Sequence, residues 1–321
     1  MRIVDADQVR AAAPMPQLLD AIEAAYRDVA AGRDRSPIRS RIPMGGGDLL
    51  LMPGLRESGA GASVKLVTVM PANAERGLPT IHAVVAWLDA DSGEPLAILD
   101  GPTVTAMRTG AASGVSTRLL ARPDARVLAV FGVGAQAAWQ VRAVMAAREI
   151  AEVRVFARTV PRREAFAASL AEELGPSVSV VAAQTAEAAV RGADVICCAT
   201  TSFEPIFSAG WVSPGTHVSA VGSFQKGMVE LPPEIFAAAA LVAVDSREAA
   251  LQEAGDLVAA IDAQLLAADG FVEIGTIDAS WAAARDRSAI TVFKSVGLAI
   301  QDLAAAELVM GNLARSEGGA G

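Results

Sequence analysis

Apolar and polar positions follow two textures along this chain, and the change falls near residue 120. Val9, Leu18, Leu19, Ile22, Tyr26 and Val29 recur at helical spacing, which predicts one or two amphipathic helices over 7–31. A proline- and arginine-rich stretch, RDRSPIRSRIP, follows. Short apolar, often β-branched runs then read as strands at 49–52, 64–69 and 81–88, separated by glycine and proline. Asp91-Ser92-Gly93-Glu94 reads as a hairpin turn leading into a strand at 95–99. The first hundred residues therefore predict an α+β domain with a mostly antiparallel sheet, and a helix over 103–120 leads out of it.

From Arg126 strands and helices alternate. Apolar runs at 126–131, 153–156, 178–182, 195–199, 217–221 and 241–244 read as strands. Helical segments precede several of them, including one that ends near Arg148 and one over 161–174 with Pro161 at its start. Parallel strands need such crossovers, so this half predicts a doubly wound sheet. The fold class expected is α/β, a Rossmann dinucleotide-binding domain together with an α+β domain. The tail from Thr291 reads as helical and ends in SEGGAG. The sequence contains no internal repeat and no long low-complexity linker.

Composition narrows the class. A chain of 321 residues with 52% apolar and 20% charged residues can bury a sizeable core as a globular protein. Apolar runs such as 237–244 fall well short of the ~18 residues of a membrane span. The start, MRIVDADQVR, is charged where a signal peptide needs an apolar stretch. The default expectation is a cytoplasmic protein with no membrane partner. A formal charge of −9 and the lack of a basic block argue against a nucleic-acid partner. Cys197 and Cys198 are neighbours in one strand-like run, where adjacent side chains point to opposite faces, so neither a disulfide nor a metal site is expected. Of the 27 basic residues only Lys65, Lys226 and Lys294 are lysine, so each invites a reason.

The segment Gly132-Val133-Gly134-Ala135-Gln136-Ala137 is a G-x-G-x-x-A loop between a buried strand and a helix. The first glycine permits the tight turn and the second lets the backbone approach a pyrophosphate. The final small residue lets helix and strand pack closely. The helix that follows aims its N–H groups and positive dipole end at the phosphates. The next strand ends in Val155-Phe156-Ala157-Arg158-Thr159, with no acid to bind the ribose hydroxyls of NAD and with Arg162 and Arg163 close behind. A guanidinium there pairs with an adenosine 2′-phosphate, so NADP is favoured over NAD; a solvated arginine is the alternative for Arg158.

Lys65 sits within the apolar run Ser63-Val64-Lys65-Leu66-Val67, where an unpartnered charge is unfavourable. Either a structural salt bridge or a substrate carboxylate would satisfy it. Arg108, in the helix that leads to the second domain, and Arg39 and Arg41, in the arginine-rich segment, are further candidates for an anionic substrate. His82 could act as an acid near the substrate or be a satisfied strand histidine. His217 begins a strand and reads as structural. No metal-ligand cluster and no serine or cysteine nucleophile stands out.

These residues resemble the ornithine cyclodeaminase/μ-crystallin family over nearly the whole chain. The resemblance rests on Met52-Pro53, Lys65 in its strand, GLPT at 77–80, DSGEPLAILDG at 91–101, TAMRTGAASG at 105–114 and GVGAQA. It continues through EPIF at 204–207, DSREAALQEAGDL at 245–257 and TVFKSVGLAIQD at 291–302. It implies a homodimer in which 1–119 and 291–321 form a substrate-binding and dimerisation domain around an inserted NADP-binding Rossmann domain, 120–290. It also implies that Arg39 or Arg41, with Lys65 and Arg108, holds a substrate carboxylate. Thr80, Arg108, Gly132, Gly134, Ala135, Gln136, Arg158, Thr159, Thr200, Gly222, Ser223 and Ser295 are implied at the cofactor.

One departure from the cyclodeaminases is informative. Phe224, in Gly222-Ser223-Phe224, stands where they carry an aspartate that acts on the amino acid, and a phenyl ring cannot exchange a proton. The resemblance therefore turns to the branch of ketimine reductases. It implies NADPH-dependent reduction of the cyclic imino acids Δ1-pyrroline-2-carboxylate and Δ1-piperideine-2-carboxylate to L-proline and L-pipecolate. An alanine-type dehydrogenase, a cyclodeaminase and a non-catalytic binding protein are the alternatives.

Overall fold

The first helix begins where its chemistry allows it. The Asp5 carboxylate accepts the Gln8 N–H at 2.9 Å and the Gln8 side chain accepts the Asp5 N–H at 3.0 Å, a reciprocal cap on α1 (Ala6–Ala12). The second, α2 (Met15–Ala30), turns Leu18, Leu19, Ile22 and Tyr26 inward at helical spacing. This computed structural model describes residues 1–57, 59–278, 280–281 and 286–318. The chain divides into two compact units: 1–108 with 298–321, and 109–297.

The first unit is built on six strands among the described residues: β1 (Arg2–Val4), β2 (Ser40–Met44), β3 (Gly47–Gly54), β4 (Gly61–Val69), β5 (Ile81–Asp89) and β6 (Pro95–Asp100). Their order is β1-β6-β5-β4-β3-β2, antiparallel throughout except for the β1–β6 pair. The expected antiparallel sheet is therefore present, extended by β1 and β2. One face of β4 is buried at every second residue and packs against α10 (Ala299–Gly318). The core under it includes Leu50, Met52, Val67 and Ala299.

A long helix, α3 (Gly101–Leu120), begins in the first unit and ends in the second. The second unit holds β7 (Val127–Phe131), β8 (Glu152–Phe156), β9 (Ser179–Ala182), β10 (Val195–Cys198), β11 (His217–Ala220), β12 (Leu241–Val244), β13 (Val272–Glu273) and β14 (Thr291–Lys294). They form one parallel sheet in the order β13-β12-β14-β11-β10-β7-β8-β9. Intervening helices include α4 (Ala137–Ala147), α5 (Val160–Leu174), α6 (Ala186–Val190), α7 (Glu234–Ala238), α8 (Arg247–Glu253) and α9 (Gly255–Asp262). The run from β9 through β8 and β7 to β10, β11 and β14 is the doubly wound Rossmann order, reversing direction at β7.

The tail corrects one expectation. Residues 291–294 are not helical but form β14, paired in parallel with both β11 and β12. Thr291-Val292-Phe293-Lys294 is β-branched and aromatic, and its four residues are all buried. The helix starts only at Ala299. Fold class is as expected, a Rossmann unit inserted in an α+β unit. The junctions lie at 108/109 and 297/298 rather than near 120 and 291. His217, expected to be structural, is buried with Nε2 3.0 Å from Ser116 Oγ and Nδ1 2.9 Å from Thr291 Oγ1. Cys197 and Cys198 are free and buried, as their adjacency required. No helix among the described residues is long and apolar enough to cross a membrane.

Candidate functional site

Two groups of candidate residues emerge, one in each unit. In the first, strand alternation places Lys65 on the buried face of β4, between Met52 of β3 and Val85 of β5. Only 1% of Lys65 is exposed, yet its ammonium is not alone: Nζ lies 2.7 Å from Asp302 Oδ2 on α10. Arg108 reaches the same carboxylate, with Nε 3.0 Å from Asp302 Oδ1, and its Nη1 donates to Gln301 Oε1 at 3.0 Å. Gln301 in turn donates to the Tyr26 hydroxyl. Burial pushes the Lys65 pKa down to about 7; Asp302 pulls it upward, while Arg108 and Arg39 push it lower. Two buried cations thus share one carboxylate, leaving an excess of positive charge among the three groups, and Arg39 acts on Lys65 from nearby.

This geometry separates the candidates. Arg39, half-buried just before β2, is near enough to act electrostatically on Lys65. Arg41 is exposed and pairs with Asp48 across the β2–β3 hairpin at 2.5 Å. Of the two, Arg39 is the one that acts on Lys65. His82, left open between an acid near the substrate and a strand histidine, lies on the other side of the sheet. It is paired with Thr68, three residues along from the Lys65–Val85 pair, and that odd step puts it on the opposite, exposed face of the sheet. An acid there is not beside the cations. Thr80 lies on the exposed stretch before β5, where its carbonyl accepts the Met70 N–H at 2.7 Å.

In the second unit the candidates line up along the carboxyl ends of adjacent parallel strands. Gly132 to Gln136 follow β7, Arg158 and Thr159 follow β8, and Thr200 follows β10. Gly222 and Ser223 follow β11, and Ser295 follows β14. This edge, where the strand order reverses, is where open α/β sheets bind ligands. Gly132 has φ +101°, and a Cβ there would stand 2.5 Å from the Ala199 carbonyl oxygen, so the turn requires glycine. A Cβ at Gly134 would meet none of the protein's atoms within 4 Å. The chain's own packing does not call for glycine there, and a bare backbone would let a ligand approach closely. The buried Gln136 Oε1, at the mouth of α4, has no hydrogen-bond partner among the described residues. An orphaned acceptor beside a helix N-terminus and an unobstructed backbone fit a dinucleotide.

Arg158 and Thr159 are exposed at the end of β8, and no acidic residue stands there. Arg163 differs: it is buried, with its guanidinium 5.7 Å from the centre of the Phe156 ring. Two other candidates already spend their hydroxyl protons internally. Ser295 donates to Asp245 Oδ2 at 2.7 Å, and Ser223 donates to the Met228 carbonyl at 2.8 Å. Phe224 is half-buried next to Ser223.

Four acids escaped sequence reading. Asp302 holds Lys65 and Arg108. Asp245 accepts the Val296 and Gly297 N–H groups at 2.9 and 2.8 Å, as well as the Ser295 hydroxyl. Glu230 and Asp256 are buried beside Lys294, whose Nζ is 3.0 Å from Asp256 Oδ2. A signal existed for Asp302. It follows Leu298-Ala299-Ile300-Gln301 in an apolar helical run, and the argument that demanded a partner for Lys65 applies to it equally.

Comparison with known proteins agrees with this architecture. The model of the Ornithine cyclodeaminase/mu-crystallin family matches residues 2–317. The Delta(1)-pyrroline-2-carboxylate reductase of Bacillus cereus is 38% identical over 311 residues, covering 96% of this chain and 95% of the relative. The ketimine reductase mu-crystallin of Mus musculus is 36% identical over 297 residues, 91% of this chain and 90% of its own. Among solved structures, the Delta(1)-pyrroline-2-carboxylate reductase of Thermococcus litoralis, in complex with NADH and L-proline, superposes with a TM-score of 0.92. It is 31% identical, with 99% of this chain and 98% of that one covered. The fold, the glycine loop and this breadth of likeness place the chain in the ornithine cyclodeaminase/mu-crystallin family.

Proposed function

We propose that the protein reduces cyclic imino acids, Δ1-pyrroline-2-carboxylate or Δ1-piperideine-2-carboxylate, to L-proline or L-pipecolate with a reduced nicotinamide dinucleotide. The observation that carries this reading is the pairing of two buried cations, Lys65 and Arg108, with the one acid Asp302, with Arg39 within electrostatic reach of Lys65. A buried cluster with surplus positive charge is costly alone and is relieved by a small carboxylate. Relatives named for pyrroline-2-carboxylate and ketimine reduction support the choice of acid.

The glycine loop would hold the dinucleotide, whose nicotinamide would supply the hydride. The chain's own residues do the rest by position and charge. Arg108, fixed by Asp302 and Gln301, presents guanidinium N–H groups to the substrate carboxylate. Lys65 adds a second cationic donor and, with its pKa near neutrality, can keep a proton on the imine nitrogen or return one to it. Phe224 offers no carboxylate to carry the deamination of an open-chain amino acid. Both His82 and Arg41 stand outside this scheme.

Cofactor choice and assembly belong to the same proposal. Arg158, at the end of a strand with no acid beside it, favours NADPH over NADH. The sheet face opposite Lys65 carries Ile42 and Met44 on β2 and the paired Leu66 and Val84 on β4 and β5, all between 40 and 46% exposed. So apolar a face supports a homodimer in which two copies of this sheet cover each other. Purified protein mixed with NADPH and each imino acid should consume the reduced dinucleotide and release L-proline or L-pipecolate. Turnover of neither ring size, with turnover of pyruvate plus ammonia instead, would replace this reading with an amino-acid dehydrogenase.

A further inference from the structure

We propose that Glu230 is a positioning residue for the dinucleotide. Its carboxylate fixes the two strand-end segments at Thr200 and at Gly222–Ser223 in the spacing the ligand needs. The inference rests on the dinucleotide reading of the glycine loop and names a device within that site.

The β10–β11 ladder runs in register from Val195–His217 to Cys198–Ala220 and closes with Val221 N–H on the Cys198 carbonyl at 2.9 Å. Beyond that bond the backbones of Thr200, Gly222 and Ser223 no longer pair with each other. Glu230, fully buried, takes over. Its Oε1 accepts the Thr200 N–H at 2.6 Å and the Thr200 hydroxyl at 2.8 Å. Its Oε2 accepts the Gly222 N–H at 2.7 Å and the Ser223 N–H at 3.1 Å. One carboxylate thereby replaces the missing rungs where two candidate dinucleotide-lining segments leave the sheet.

The clamp is itself held. Asp256 Oδ1 accepts the Glu230 and Leu231 N–H groups, the latter at 2.9 Å, and Lys294 bridges Asp256 to the Ser223 carbonyl, 2.6 Å from Nζ. The two segments are also pressed together. A Cβ on Gly222 would stand 2.2 Å from the Thr200 carbonyl oxygen, so no bulkier residue fits between them. Burial and the neighbouring Asp256 raise the pKa of Glu230, while Lys294 and the Thr200 hydrogen bonds oppose that. A carboxyl group that accepts from four donors on two segments is a stiff joint, and stiffness at a strand end is of use when a ligand must meet both segments at once.

The test compares Glu230→Gln with the wild-type protein. The amide NH2 cannot accept, so one of the two segments loses its partner. Titrating NADPH and following its fluorescence, the Kd should rise roughly tenfold, while KM for the imino acid at saturating dinucleotide stays within about twofold. A lowered melting temperature with an unchanged Kd means that Glu230 only holds the fold together, and overturns the inference. Amide hydrogen exchange on the wild-type chain provides a second arm that needs no folded variant. Exchange at Thr200, Gly222 and Ser223 should slow when NADPH is added, and unchanged exchange alongside measurable binding overturns the proposal. Failure of the wild-type protein to bind NADPH or NADH at all would instead remove the dinucleotide reading on which the proposal depends.

Discussion

Each unit of this protein buries a lysine against an aspartate, and the two clusters do opposite things with the charge. Around Lys294 there are two acids, Asp256 and Glu230, and their oxygens accept backbone N–H groups, a hydroxyl and the lysine itself. That cluster is saturated from within and holds a strand edge in place. Around Lys65 the balance is reversed: Lys65 and Arg108 share the one acid Asp302, and Arg39 acts on Lys65 from nearby. A buried ion pair is by itself weak evidence for function. What distinguishes the functional candidate is the sign of its surplus and the number of donors left for an anion.

The comparison predicts how differently the clusters should respond to change. The largest effect belongs to Lys65→Met. It should lower kcat/KM for the imino acid by roughly a thousandfold while dinucleotide Kd stays unchanged, because one charge-assisted contact and the proton source vanish together. Asp302 would keep Arg108 as a partner, so the variant should still fold. An equal loss of dinucleotide affinity would mean that Lys65 serves the whole fold, as Lys294 does.

Asp302→Asn should act next most strongly, and its signature lies in pH. Protonated Lys65 is the form that binds a carboxylate, so kcat/KM should be flat below about pH 7 and fall as pH rises past the Lys65 pKa. Asp302 favours the charged ammonium, so its removal should move that fall to lower pH. A limb that stays in place would separate Lys65 from the pH dependence. Stability carries the converse sign. A lysine depressed from 10.5 to about 7 holds fewer protons folded than unfolded within that window. Its contribution should therefore make the protein more resistant to urea as pH rises from about 7 to about 10.

How much of this could be read beforehand depended on how local the cause was. The loop at 132–137 was legible because a tight turn and a ligand approach act on consecutive residues. Lys65 was legible as an anomaly, a charge in an apolar strand. Its partner was legible only as a second anomaly, an acid in an apolar helical run, since Asp302 is remote in sequence and nothing local joins the two. Strand β2 escaped notice because its residues are all exposed within an arginine- and proline-rich stretch, and β1 because three residues carry too little pattern. His82 stayed open between two readings for a related reason. Which face a strand residue occupies depends on register, and one step decides it.

Smaller effects sharpen the cofactor and the periphery. Arg158→Glu should shift the ratio of kcat/KM between NADPH and NADH by roughly tenfold or more toward NADH, through lost pairing and added repulsion. An unchanged ratio would make Arg158 a solvated arginine. Least of all, Arg41→Ala should change kcat/KM by no more than about twofold, as expected for an exposed pair with Asp48.

The central claim is that the Lys65–Arg108–Arg39 cluster holds the carboxylate of a cyclic imine while it is reduced. Steady-state reduction of Δ1-pyrroline-2-carboxylate, set beside reduction of Δ1-pyrroline, which lacks the carboxylate, tests it most directly. The account predicts ready NADPH consumption with the first and a kcat/KM lower by roughly a thousandfold or more with the second. Equal rates with both, or no reduction of the carboxylate-bearing ring, would contradict it.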